Sequence, residues 1–172
     1  MSNIFFISDT HFGHSNILNF THDDGSHVRV FDDVHHMNES MIHNWNTVVQ
    51  TGDKVYHLGD VVFGKEFVPL LGFLKGQKVL IKGNHDRHPI DVYQKYFKDI
   101  RAADLKGEWK MILTHIPVHP DSIKKGWTNV HGHLHRRKLN DSRYFNVSVE
   151  QIKYTPIELG QLRELIKDAR TD

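Results

Sequence analysis

The sequence predicts an α/β sandwich with a mixed sheet and helices on its outer faces. Three observations carry this expectation. Short apolar, β-branched runs alternate with stretches at helical spacing through the first hundred residues, and strands dominate afterwards. Nearly every expected strand stops at residues carrying oxygen or imidazole donors, where such sheets collect their ligands. The 172 residues form no repeat, low-complexity segment or evident linker, so the expectation is one domain over 1–172 with a real core.

Ile4 to Ile7 reads as the first strand, stopping at Ser8-Asp9-Thr10-His11. Residues 15–31 have no clean period and read as a long surface loop, with at most a short helix near Asn16 to Phe20. Asp32 or Asp33 caps a helix running to about Gln50, with Val34, Met37, Met41, Ile42, Trp45, Val48 and Val49 as its buried stripe. Lys54 to Leu58 is the second strand and Glu66 to Leu74 a short helix, despite Pro69 and Gly72. Lys78 to Ile81 is a buried strand, and Ile90 to Phe97 a helix. Ile100 to Leu105, Trp109 to Thr114, the Thr128 segment and Tyr144 to Val149 are strands, and Glu158 to Ala169 closes as an amphipathic helix.

Composition narrows the function classes. Apolar residues make up 38% and charged residues 25%, the balance of a soluble globular protein. No run approaches the ~20 apolar residues of a membrane span, and the N-terminus lacks the basic region of a signal peptide. Zero cysteines exclude thiolate metal sites and fit a reducing cytoplasm. A formal charge of +1 gives no global field for nucleic acid or membrane; Arg136-Arg137-Lys138 is the only run of three basic residues. The outlier is histidine, at 15 residues.

Many of those histidines fall at strand ends. The donor-rich ends are Asp9-x-His11, Gly59-Asp60, Gly83-Asn84-His85-Asp86, His115 and Gly132-His133-x-His135. Each piece alone reads as a turn or a cap. Five together do not, because core and solvated turns have no reason to concentrate donors at every strand terminus. In the two x-spaced pairs, residues i and i+2 of extended backbone point the same way, so each pair is expected to reach one pocket.

These five motifs, in this order from residue 9 to 135, resemble the signature of the calcineurin-like metallophosphoesterases. Phe12-Gly13-His14-x-Asn16-Ile17, Asn44-Trp45-Asn46 and Asn146-Val147-x-Val149 are similar to segments of the small bacterial and phage members. The resemblance implies a four-layer α/β/β/α sandwich with two metals at the strand ends. It assigns Asp9, His11 and His135 to one metal and Asn84, His115 and His133 to the other, with Asp60 bridging. Such a carboxylate holds two cations roughly 3.5–4 Å apart. The donors suit a pair of divalent cations, with Mn²⁺ ahead of Fe, Zn, Ni or Mg. The implied reaction is phosphoester hydrolysis, diester favoured over monoester, by attack of a metal-bridging hydroxide. His85 acts as the acid, and Asp86 orients it or a ligating imidazole. The implied partner is a small phosphorylated substrate such as a nucleotide.

Other residues stay open. His14 reads as substrate-facing or as plain loop, and Arg29 as a fork for phosphate or a solvated arginine. Arg87 and His88 extend the central motif towards a substrate. His35 and His36 fall on a polar helix face, His57 inside a strand, and His119 and Asp121 at a Pro-rich turn. The rival reading is a catalytically silent metal-binding interaction protein on the same scaffold; it predicts a missing donor, and none is missing.

Overall fold

Strand polarity decides where donors can gather. The computed structural model describes residues 2–171; Met1 and Asp172, the ends of the expected domain, lie outside the described residues. One sheet contains β1 (Ile4–Ile7), β2 (Lys54–His57), β3 (Gln77–Ile81), β4 (Asp99–Arg101) and β9 (Ile157–Glu158). Its order is β4-β3-β2-β1-β9, parallel except for β9, which runs antiparallel to β1. The other contains β5 (Asp104–Lys106), β6 (Met111–Leu113), β7 (Thr128–His131) and β8 (Tyr144–Asn146), with only β5 antiparallel to its neighbour. Both sheets are mixed, and in each a set of parallel strands ends on one edge.

Alternation along the strands explains the layering. Phe5, Ile7, Val55 and Leu80 face the helices α1 (Val34–Val48) and α2 (Ile90–Gln94), where Met37, Met41, Trp45 and Tyr93 complete one core. Phe6, Tyr56, Val79 and Ile81 point the other way and meet Met111, Leu113 and Val130 of the second sheet. The final helix α3 (Leu159–Asp168) packs beside β9 and β1 and adds Leu162 and Ile166 to this inter-sheet core. Helix α1 starts where Asp33 accepts a hydrogen bond from the His36 N–H, 2.8 Å. Trp45 is fully buried, and its indole N–H donates to the Lys75 carbonyl, 2.9 Å.

Some elements differ from expectation. The run Ile100–Leu105 is not one strand; it divides into β4 and β5, which belong to different sheets, so the chain changes sheets there. The strand expected from Trp109 begins at Met111, after a 3-10 turn over Gly107–Trp109 that ends in left-handed Lys110. The 65–73 segment is a 3-10 helix rather than an α-helix, with Pro69 inside it. Strand β8 stops at Asn146, and β9 has two residues, too few to show a period. Among the described residues no helix is long and apolar enough to cross a membrane.

Trp45→Ala is expected to destabilise the protein by about 3–5 kcal/mol, since a buried indole leaves a cavity and an unpaired carbonyl. Urea unfolding measures it, and a loss below about 1 kcal/mol would show that the α1 stripe does not hold the first core together.

Candidate metal centre

All the donor-bearing loops lie just past the carboxyl ends of parallel strands. Asp9 and His11 come after β1, Asp60 after β2, Asn84 and His85 after β3, and His115 after β6. His133 and His135 come after β7. At this edge the two sheets also join. Ser8 forms a parallel bridge with Ser148, through the Ser8 N–H to Val147 O (2.9 Å) and the Val149 N–H to Ser8 O (3.1 Å). Donors from both sheets therefore converge on one place.

They form two clusters. Asp9, His11 and His135 bring one ligand atom each to within 4.8 Å of one another, and so do Asp60, His115 and His133. Asn84 joins the second through Oδ1, 2.9 Å from His115 Nε2. Asp60 faces both: its Oδ2 lies 3.3 Å from His115 Nε2 and 3.8 Å from His11 Nε2. Its Oδ1 accepts the His85 N–H, 2.8 Å. Asp9 Oδ1 and both ring nitrogens of His11 are buried without any hydrogen-bond partner. Buried polar atoms are normally paired. Orphaned donors facing one another, all oxygen or imidazole, fit divalent cations.

The backbone is bent to make this convergence. Asp9, His11, Asp60, His133 and His135 have φ of 60°, 48°, 55°, 67° and 51°. These are left-handed conformations that non-glycine residues rarely adopt and that concentrate at functional sites. Asp9-x-His11 and His133-x-His135 are therefore not extended backbone: Asp9 and His11 share one cluster, whereas His133 and His135 go to different clusters. Gly83 and Gly132 are fixed by close approach. A Cβ on Gly83 would strike Asp60 Oδ1, and one on Gly132 would strike Ser8 Oγ and Asp9 Oδ2.

Neighbouring groups set imidazole tautomers. His115 Nδ1 lies 2.7 Å from the Leu58 carbonyl and donates to it, which turns an unprotonated Nε2 to the cluster. His135 Nδ1 donates to Glu150 Oε1, 2.9 Å, with the same result. Burial pushes the His11 pKa well below its ordinary value, helped by the nearby charges of Arg29 and His135. Burial also lowers His115 and His135, but bonds to Asp60 and to Glu150 outweigh it, and both pKa values are raised. Burial raises Asp9. Burial opposes the charge of Asp60 as well, but the hydrogen bond and charge of His115 outweigh it and lower that carboxyl. Burial acts upward on Glu150 too, but Arg29 and His135 overcome it and bring it to about 2.

Two expected roles change. Arg29 is buried, and its guanidinium is fully engaged. Nε donates to Glu150 Oε1, which Nη2 also approaches as an ion pair (both 2.8 Å), Nη1 donates to Thr10 O (2.9 Å) and towards Met37 Sδ (3.7 Å), and Nη2 donates to Asp9 O. Each guanidinium nitrogen already has a buried partner, so in this structure Arg29 supports the Asp9 loop instead of standing as a free fork. Asp86 does not touch an imidazole. Its buried carboxylate accepts the N–H groups of Asp60 (2.9 Å), Val61 (2.8 Å) and Gly83 (2.8 Å), clamping the β2 and β3 loops together. It is a positioning residue rather than a catalytic one.

The remaining candidates divide. His14 stands beside the clusters, its ring 5.7 Å from that of His11, and caps a 3-10 turn through Nδ1. His35, His36, Arg87, His119 and Asp121 are exposed, and His88 packs on Tyr93. His57 is buried in the first core, its pKa pushed down to about 3 by burial. Sequence reasoning missed Glu150 and Ser148, whose Oγ donates to Asp9 Oδ2 at 2.9 Å. Glu150 directly follows the strand expected over Tyr144 to Val149, so inspecting the residues past that strand end would have reached it; Ser148 lay inside the expected strand and was hidden because β8 stops at Asn146.

Comparison with known proteins points the same way. The family model described as calcineurin-like phosphoesterase matches residues 2–171. An uncharacterised protein of Methanocaldococcus jannaschii is 35% identical, covering 99% of this chain and 94% of that protein. The Gene 66 protein of Mycobacterium phage L5 is 28% identical over 78% of each chain. The crystal structure of a protein of unknown function from Aquifex aeolicus superposes with a TM-score of 0.74 at 25% identity, covering 96% of this chain and all of that one.

Glu150→Gln is expected to weaken Mn²⁺ binding about 10–100-fold by releasing the His135 tautomer, as calorimetry would measure. Ligating imidazoles must be neutral, so Mn²⁺ must displace protons that His115 and His135 hold above the ordinary imidazole range. Affinity should therefore fall as pH drops from about 8 to about 6. An affinity flat over that interval would contradict the assignment of both histidines.

Proposed function

The chain belongs to the calcineurin-like phosphoesterase family, and from that premise we propose that it hydrolyses phosphodiesters in preference to phosphomonoesters, using two divalent cations. The observation that carries the reading is Asp60, one carboxylate oxygen of which faces both histidine clusters. Asp9, His11 and His135 would hold one cation, Asn84, His115 and His133 the other, and Asp60 both. Bound there, the pair would supply Lewis-acid stabilisation of the phosphoryl oxygens and acidify water. Mn²⁺ is the first choice for this donor set, with Fe, Zn, Ni and Mg as alternatives.

The protein's own groups do the rest. Asp60 Oδ1 holds the His85 backbone N–H, so the half-buried imidazole is carried at a fixed place beside the clusters, its ring 6.0 Å from that of His11. From there His85 gives a proton to the departing ester oxygen. Asp86 keeps the Asp60 and Gly83 loops in register, which keeps His85 and Asn84 in place. Asn84 is exposed and His85 half-exposed, so the site is open on that side to the second arm of a diester.

Asp60→Asn and Asn84→Ala are each expected to lose at least about 100-fold in kcat/KM, the scale of removing one strong electrostatic contact. Near-normal turnover of both variants with metal bound would sink the ligand assignment. A panel of bis-p-nitrophenyl phosphate, p-nitrophenyl phosphate, cyclic nucleotides and dinucleotides, run after reconstitution with Mn²⁺, tests the diester preference. Faster cleavage of the monoester would reverse it.

A further inference from the structure

One side of the candidate metal centre is lined by rings rather than by charges. Phe63, three residues beyond Asp60, is half-buried, with its ring centroid 5.3 Å from His11 and 5.5 Å from His85. His14 packs on it edge to face at 4.2 Å, and Phe20 packs on His14 at 5.8 Å. The row thus runs outward from a proposed metal ligand to the surface, where Phe20 is 51% exposed.

Its members are held in place. The His14 ring is fixed by the Ile17 N–H on Nδ1, 3.0 Å. The Phe63 N–H donates to Phe12 O at 2.7 Å, and Gly13 lies so close that a Cβ there would meet the Phe63 carbonyl at 2.6 Å. Phe20 O accepts the Val28 N–H at 2.8 Å. Neighbouring Ile17 is buried in the first core while Phe20 stays out in solvent. The exposed Phe20 ring is continuous with His14 and Phe63, so the row offers rings from the rim of the polar site to its interior.

We infer that the row Phe63–His14–Phe20 is a stacking subsite for an aromatic ring carried by the phosphate ester, which makes nucleotides the substrate class. The inference rests on the reading that phosphate is held by the clusters beside His11. A base has a π-face whatever its sequence identity, so such a wall selects nucleotides over aliphatic phosphates without choosing among bases.

The test compares AMP with ribose 5-phosphate, which differ only by the base, titrated calorimetrically into the Mn²⁺-loaded protein. Wild type should bind AMP about ten-fold or more tightly than ribose 5-phosphate, and Phe63→Leu or Phe20→Ala should lower that ratio several-fold. Phe20 is exposed, so Phe20→Ala keeps the test available should Phe63→Leu fail to fold. Equal affinities in wild type, or a ratio unchanged in both variants, would overturn the subsite. Ring preference in a protein that cleaves no phosphoester would sink the proposed reaction instead and leave the subsite standing.

Discussion

Two carboxylates removed from water set the terms for this structure. Asp9 and Asp60 lie at the ends of adjacent parallel strands with 0% and 2% of their surface exposed. A buried charge costs several kcal/mol unless it is paired and hydrogen-bonded. The partners come from distant parts of the chain: Asp9 Oδ2 takes Ser148 Oγ and the His133 N–H, and Asp60 Oδ1 takes the His85 N–H. Each bond pins a different strand end, so compensating the carboxylates also assembles the site. The oxygens left over, Asp9 Oδ1 and Asp60 Oδ2, are those that face the histidine clusters.

A second layer of contacts keeps this assembly rigid. Left-handed backbone at a non-glycine residue costs of order 1–3 kcal/mol and persists only where the surroundings overdetermine it. Here the surroundings are the parallel strand ends, the Ser8–Ser148 bridge between sheets, and a buried chain of contacts from the Asp9 carbonyl through Arg29 and Glu150 to His135. Arg29 and Glu150 are buried ion-pair partners that meet at Glu150 Oε1 and hold one side of the same cluster. Asp86 does the equivalent work between β2 and β3. His57, close behind, is neutral because the Gly59 N–H occupies its Nδ1 and burial opposes a second proton.

The clusters and the aromatic row divide two tasks. Polar groups gather where both sheets end and suit a phosphoryl group with its charge. Rings extend from there along the His14 and Phe63 loops, which belong to the first sheet alone. Phosphate recognition would thus depend on the junction of the sheets, and selection by ring on residues three places beyond His11 and Asp60 in the same loops.

Much was legible in the sequence because it is local. Strand β1, helix α1 with its Asp33 cap, and the donor motifs after β1, β2, β3, β6 and β7 all arise from side-chain period and turn chemistry within a few residues. The two groupings, Asp9 with His11 and His135, and Asn84 with His115 and His133, came from the family resemblance, which carries tertiary information that periodicity lacks. Other features required the fold. The division of residues 100–105 between two sheets, the two-residue strand β9, the burial of Arg29 and the clamp made by Asp86 depend on partners far away along the chain. The left-handed turns belong with these, because a strained φ is stable only when distant contacts hold it. Sequence determined which residue types stand at each strand end. Tertiary structure decided which way they point, because orientation is set by hydrogen bonds between segments that no local pattern connects.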